Sequence, residues 1–167
     1  FICLQSNING MEIQELVAEA MRKAGKTLAT AESCTGGLIA HKITALAGAS
    51  DYYRGGVVAY SNEVKECALG VRHATLEAHG AVSEETVREM VEGVRSRLGA
   101  DYAVATTGIA GPGGGTPAKP VGTVWIGIAS ESKTVTKLLH LSGNRSEIAE
   151  QTCLAVFDGL LDLLDGH

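Results

Sequence analysis

The sequence predicts a three-layer α/β/α sandwich built on a mixed, largely parallel sheet, and three observations carry that prediction. Helical and extended patterns alternate through the first two thirds of the chain, as they do where crossover helices join parallel strands. Two more strand patterns follow as a hairpin, and a long amphipathic helix closes the chain. The 167 residues show no internal repeat and no interdomain linker, so one domain is expected. A domain of that size buries roughly 70% of its unfolded surface and needs no disulfide or metal to hold it.

In chain order, residues 1–10 (FICLQSNING) lack the basic start and long apolar run of a signal peptide. Met11 reads as a start, so 1–10 are expected to be extension residues and 11–167 the single domain. Residues 11–25 place Ile13, Leu16, Val17, Ala20 and Met21 at helical spacing, and Gly25 ends the helix. TLATAES (27–33) is a short strand of small residues. Residues 34–48 read as a helix with Leu38, Ile39, Ile43 and Leu46 on one side. GGVVAYS (55–61) predicts a strand and NEVKECALG (62–70) a short helix closed by Gly70. Ser83 caps the next helix, whose Glu84 and Glu85 suit the positive end of its dipole and whose Arg95 and Arg97 suit the other. DYAVATTG (101–108) is a third strand, and 121–130 with 133–142 form the hairpin around Ser130–Lys133. The last helix, from Arg145, turns Ile148, Leu154, Phe157, Leu160 and Leu161 inward.

Bulk composition narrows the function classes. A net charge of −5 argues against a nucleic-acid-binding face, so nucleic acid is not an expected partner. No apolar run approaches the ~20 residues that span a bilayer, so no membrane partner is expected either. The cysteines, Cys3, Cys34, Cys67 and Cys153, are far apart and form no C-x-x-C pair. Reduced thiols and a cytoplasmic location follow as expectations. The histidines are scattered without H-x-x-x-H or other ligand spacing, so no catalytic metal is expected.

The chemistry concentrates in TAESCTGG (30–37), where a strand gives way to a helix. Ser33 or Thr35 could simply cap that helix. Alternatively, Ser33 is a nucleophile on a sharp turn, with free N–H groups at the helix start to stabilise an oxyanion and Gly36 and Gly37 admitting a substrate to the backbone. Cys34 is the rival nucleophile or an inert buried thiol. A base is available in YSNEVK: Lys65 follows Tyr60 by about one helical turn, and a lysine kept neutral by burial can take a serine proton. The competing reading leaves Lys65 solvated, paired with Glu63 or Glu66. Tyr60 and Lys65 are one residue too far apart for the Y-x-x-x-K helix of short-chain dehydrogenases, and no G-x-G-x-x-G follows the first strand. GIAGPGGGTPAKP (108–120) lacks the G-K-[ST] of a P-loop. It is either a rigid proline-set turn or a wall of backbone amides around a ligand, with Thr106 and Thr107 adding hydroxyls at the strand end. Arg145 is a solvated first-turn residue or a phosphate clamp.

Taken in order, AESCTGG, GGVVAYSNEVK, HGAVSEETV, TTGIAGPGGGTPAKPVGTVWIG and the closing GNR helix resemble the CinA C-terminal domain family of nicotinamide-nucleotide amidases, from about Thr27 to the end. The resemblance implies hydrolysis of the carboxamide of nicotinamide mononucleotide to nicotinate mononucleotide and ammonia, with no metal or redox cofactor, in pyridine-nucleotide recycling. It implies Ser33 as nucleophile with Lys65 and Tyr60 handling protons. Thr35, Gly36, Gly37, Thr107, Gly108, Gly111 and Arg145 are carried over as substrate-site residues, and a homodimer or higher homo-oligomer is expected. Two positions depart from the pattern: Gly113 and Ala118 stand where family members often carry acids. Rival readings are a non-catalytic nucleotide-binding module, a partner domain for a pyrophosphatase-like protein, and an amidase for another small substrate.

Overall fold

The computed structural model describes residues 7, 8 and 10–167. Cys3 and most of the stretch expected to be extension residues lie outside the described residues. A short antiparallel hairpin, β1 (Asn7–Ile8) and β2 (Met11–Glu12), leads into α1 (Ile13–Ala24), which stops where Gly25 turns left-handed at φ 63°. β3 (Leu28–Glu32), α2 (Leu38–Thr44), β4 (Tyr53–Val58), α3 (Asn62–Leu69), α4 (His73–His79) and α5 (Glu84–Arg97) follow. The chain then runs through β5 (Tyr102–Gly108), β6 (Thr123–Ala129), β7 (Thr134–His140) and α6 (Arg145–Leu164).

The main sheet has the order β4-β3-β5-β6-β7. β3 pairs parallel with both β4 and β5, whereas β5–β6 and β6–β7 are antiparallel, so the parallel share is half of the pairings. α1, α2 and α6 cover one face over a core that includes Leu28, Ile39, Ile126, Phe157 and Leu160. α3, α4 and α5 cover the other over Ala29, Ala31, Val87, Met90 and Ala103. The three layers predicted from the alternating pattern are therefore present. β3 is buried along its whole length, and its small Ala29, Thr30 and Ala31 side chains let helices close on both faces.

Three elements depart from expectation. The helix expected over 34–48 is reduced to α2, because Gly36 (φ 58°) and Gly37 (φ 102°) both lie in the left-handed region and hold 34–37 as a turn. β4 starts and ends earlier than 55–61, which leaves Tyr60 in the connection after the strand. α4 was not anticipated: it is short, and its N-cap Arg72 offers no side-chain cap to mark the start. Of the residues expected inward on α6, Leu154 and Leu161 are half-buried, while Cys153 and Val156 fill the core beside Phe157.

Candidate active site

The parallel strands β3, β4 and β5 end at one edge of the sheet, where open α/β sheets leave room for a ligand. A cleft of about 210 Å³ opens there, with Ser33 and Cys34 on one wall and Tyr60, Asn62 and Lys65 on another. Thr107, Gly108 and Ala110 contribute a third side, together with Ala81, Val82 and Arg145.

Ser33 and Lys65 meet inside it. Lys65 Nζ lies 3.1 Å from Ser33 Oγ and donates to the Ala59 carbonyl at 2.8 Å. Both residues are buried, Ser33 at 8% exposure and Lys65 at 2%. Among the described residues no carboxylate stands within ion-pair distance of Lys65, so the reading that pairs it with Glu63 or Glu66 does not hold. Ser61 caps α3 through Val64 N–H, and Lys65 points inward from the first turn, which explains how a lysine on a short polar helix comes to be buried. Burial pushes the Lys65 ammonium below its ordinary value, with the Cys34 thiol acting the other way. A neutral amine donates to Ala59 O and still offers Ser33 a lone pair, which is the arrangement a general base needs.

Neither Ser33 nor Thr35 caps α2; the N-cap is Gly37, with no side-chain bond. Ser33 N–H is tied to the Thr106 carbonyl at 3.0 Å, which holds the serine at the strand end. The N–H groups of Cys34 and Thr35 donate to no backbone acceptor among the described residues. Cys34 lines the cleft, but burial pushes its thiol up to about 11, against a hydrogen bond with Thr106 and with Glu32 adding to the rise. It is therefore protonated near neutral pH and a poor nucleophile beside the serine. Thr35 sits under the turn, its hydroxyl 2.7 Å from Glu32 Oε1 and 2.9 Å from Thr106 Oγ1. Thr35, Gly36 and Gly37 do not line the cleft; the glycines shape the turn that presents Ser33.

Tyr60 is 60% exposed, and its hydroxyl bonds with Arg145 Nη2 rather than with Lys65 or Ser33. Arg145 Nη1 also donates to the Gly111 carbonyl at 2.7 Å, so one guanidinium joins the start of α6, the 108–120 loop and Tyr60 across the cleft mouth. Gly111 thus acts through its carbonyl and does not itself line the cleft. Thr107 lines the wall and donates to Ala81 O at 2.8 Å. Gly113 and Ala118, the two departures from the family pattern, are exposed on the loop and away from the lining residues. Ala110 belongs to the GIAGP turn (108–112) that the resemblance carries over, whereas Asn62, Ala81 and Val82 are not among the expected site residues. Asn62 lies two positions beyond Tyr60, within reach of the YSNEVK argument, while Ala81 and Val82 lie in HGAVSEETV, a stretch that signals the family but no chemistry of its own. Among the described residues no three His, Cys, Asp or Glu side chains gather as a metal site, and no helix is long and apolar enough to cross a membrane.

Comparison with known proteins agrees with this fold. The family model for the CinA C-terminal domain matches residues 11–164. The chain belongs to the CinA C-terminal domain family. A Caldanaerobacter subterraneus protein named for competence-damage induction is 53% identical over 160 residues, which is 96% of this chain and 39% of that protein. The CinA-family chain described here thus spans about two fifths of the length of that relative. Among solved structures, competence damage-inducible protein A from Klebsiella pneumoniae superposes with a TM-score of 0.89 at 38% identity, covering 92% of this chain and 95% of the other. A competence/damage inducible protein from Agrobacterium tumefaciens gives 0.87 at 39% identity, covering 90% and 94%. The two CinA structures share the fold over about nine tenths of this chain, and the names of all three relatives speak of competence and damage rather than of a substrate.

Proposed function

We propose that this CinA-family chain is a nicotinamide-nucleotide amidase that hydrolyses the carboxamide of nicotinamide mononucleotide through a Ser33 ester. The observation that carries the reading is the buried Lys65 amine 3.1 Å from the Ser33 hydroxyl, with no carboxylate partner among the described residues to keep it charged. The substrate is argued from the family resemblance together with Arg145, a guanidinium at the cleft mouth suited to an anionic group.

In the first half-reaction Ser33 Oγ attacks the carboxamide carbon while Lys65 Nζ takes the serine proton. The oxyanion that forms is met by the N–H of Cys34, which lines the cleft and donates to no other residue's backbone among the described residues. Collapse breaks the C–N bond, and Lys65 returns the proton so that ammonia leaves and a Ser33 ester remains. Water then attacks that ester with Lys65 again as base, releasing nicotinate mononucleotide and the free serine. Tyr60, held by Arg145 at the mouth, is the second proton-handling group in this proposal: its hydroxyl is free to face a bound substrate when an anion takes over the guanidinium.

The test is ammonia release from nicotinamide mononucleotide, with nicotinamide and nicotinamide riboside as controls and with chelator present and absent. The proposal expects release from the mononucleotide, insensitive to chelator and far weaker from either control. A folded protein that releases no ammonia from the mononucleotide, or prefers free nicotinamide, would overturn it.

A further inference from the structure

Glu32 is the least explained charge in the molecule. It stands immediately before Ser33, is 1% exposed, and among the described residues has no cation within ion-pair distance. A buried carboxylate without a counter-ion is costly and survives only when donors surround it. Here they do. Oε1 accepts from Thr35 Oγ1 at 2.7 Å and from Ile39 N–H at 2.8 Å, and Oε2 accepts from Ala40 N–H at 3.0 Å. Because the carboxylate only accepts, Thr35 must give it its proton, and Thr106 then donates to Thr35 across 2.9 Å. The chain of hydroxyls has one direction, fixed by Glu32.

The same residue reaches the other half of the pair through its main chain. The Glu32 carbonyl accepts from Ala59 N–H at 2.8 Å, and the Ala59 carbonyl accepts from Lys65 Nζ at 2.8 Å. On the serine side, Ser33 N–H is bonded to the carbonyl of Thr106, whose hydroxyl ends the Glu32–Thr35 chain. One residue thus connects the turn that bears Ser33, the first two N–H groups after Leu38 in α2, and the carbonyl that anchors Lys65.

We propose that Glu32 is a positioning residue: by clamping the 33–37 turn to α2, it holds the Ser33 hydroxyl in register with Lys65. This rests on the Ser33–Lys65 reading above and adds a third residue to it. The site requires an acceptor and not merely a side chain of that shape. In Glu32→Gln either orientation of the amide sets its NH2 against a helix N–H, Ile39 or Ala40, so the clamp loses a bond and gains a clash of donors.

The experiment measures Ser33 reactivity without the natural substrate. A fluorophosphonate labels an activated serine with loss of fluoride, and its rate and final stoichiometry are read separately by mass spectrometry. Glu32→Gln is expected to label to the wild-type stoichiometry but roughly 10–100-fold more slowly. In ammonia release, kcat per labelled serine should fall by a similar factor while KM stays within about threefold. Amide exchange at Ile39 or Ala40, whichever faces the new NH2, should accelerate by about tenfold or more, reporting the clamp apart from any chemistry. Labelling at the wild-type rate, or a loss confined to stoichiometry with the remaining sites fully reactive, would overturn the positioning role. So would unchanged exchange at both amides. Should Glu32→Gln fail to fold, Thr35→Val removes the hydroxyl link and keeps the carboxylate; it is expected to slow labelling about 3–10-fold, and no slowing would count against the proposal. A wild type that takes label and releases no ammonia would remove the substrate reading alone. A wild type with no label at Ser33 would remove the nucleophile reading and the positioning role together.

Discussion

In the parallel half of the sheet the carboxyl ends of β3, β4 and β5 open at one edge, whereas in the antiparallel half β6 and β7 return on each other through the Ser130–Lys133 turn. The two halves differ in what they bury. Glu32, Ser33, Thr106 and Thr107 are all buried at the ends of β3 and β5. The hairpin buries Val124, Ile126, Ile128 and Leu139, with Thr123 as its polar residue. β3 and β4 leave the sheet by crossovers and β5 by the long 109–122 loop to β6, connections that can carry chemistry, while the tight β6–β7 hairpin uses its residues for packing. The parallel half is organised around a polar network and the antiparallel half around apolar burial.

Substitutions should separate the halves cleanly. The largest effect is expected for Ser33→Ala: ammonia release from nicotinamide mononucleotide should fall by about three orders of magnitude or more, with the Kd measured by calorimetry changing far less. A variant that kept its rate would break the comparison at its centre. Lys65→Met should follow, with kcat lowered by roughly 10²–10⁴. Because burial lowers the Lys65 value, wild-type kcat should rise with pH through that lowered value, and the rise should vanish in Lys65→Met. Stability carries the same sign. The unfolded chain keeps the ordinary, higher value, so between the two values it holds the extra proton and stability increases with pH. Urea midpoints measured across neutral to alkaline pH should climb for the wild type and flatten for Lys65→Met.

A smaller effect is expected at the cleft mouth. Arg145→Ala should raise KM for the mononucleotide by roughly 10–100-fold, the worth of one or two charge-assisted bonds to an anion. The riboside lacks the phosphate and should respond much less; an equal rise for both would remove the phosphate role and leave Arg145 as a brace for Tyr60 and Gly111. The smallest effect belongs to the hairpin. Ile128→Val, in the antiparallel core, should cost about 0.5–1.5 kcal/mol of stability in a denaturant titration and leave kcat per folded molecule unchanged. A selective loss of kcat there would show that the halves are not independent.

The sequence made the division legible to different depths. The alternation of helix and strand patterns and the Ser130–Lys133 turn were enough for the layers and the hairpin, because periodicity and turn chemistry are local. The burial of Lys65 was not readable. On its helix it sits among Asn62, Glu63 and Glu66, and its direction is decided by Ser61 capping α3 and by the Ala59 carbonyl across the connection. The turn at 34–37 carries a helical pattern in the sequence, since Leu38 and Ile39 belong to an apolar rhythm that two left-handed glycines interrupt. Glu32 was the deepest omission. An acid before a serine carries no local sign that α2 will direct two N–H groups at it, for those amides come from seven and eight residues further on. Thr35, expected at the substrate, belongs instead to that hidden network.

The most direct test of the central claim is rapid-quench peptide mass spectrometry of the wild-type protein mixed with nicotinamide mononucleotide. The account predicts a transient ester on Ser33, with the mass of the nucleotide less ammonia, that forms before nicotinate mononucleotide and decays as it appears. Product accumulating with no adduct on Ser33, or with the adduct on Cys34, would contradict it.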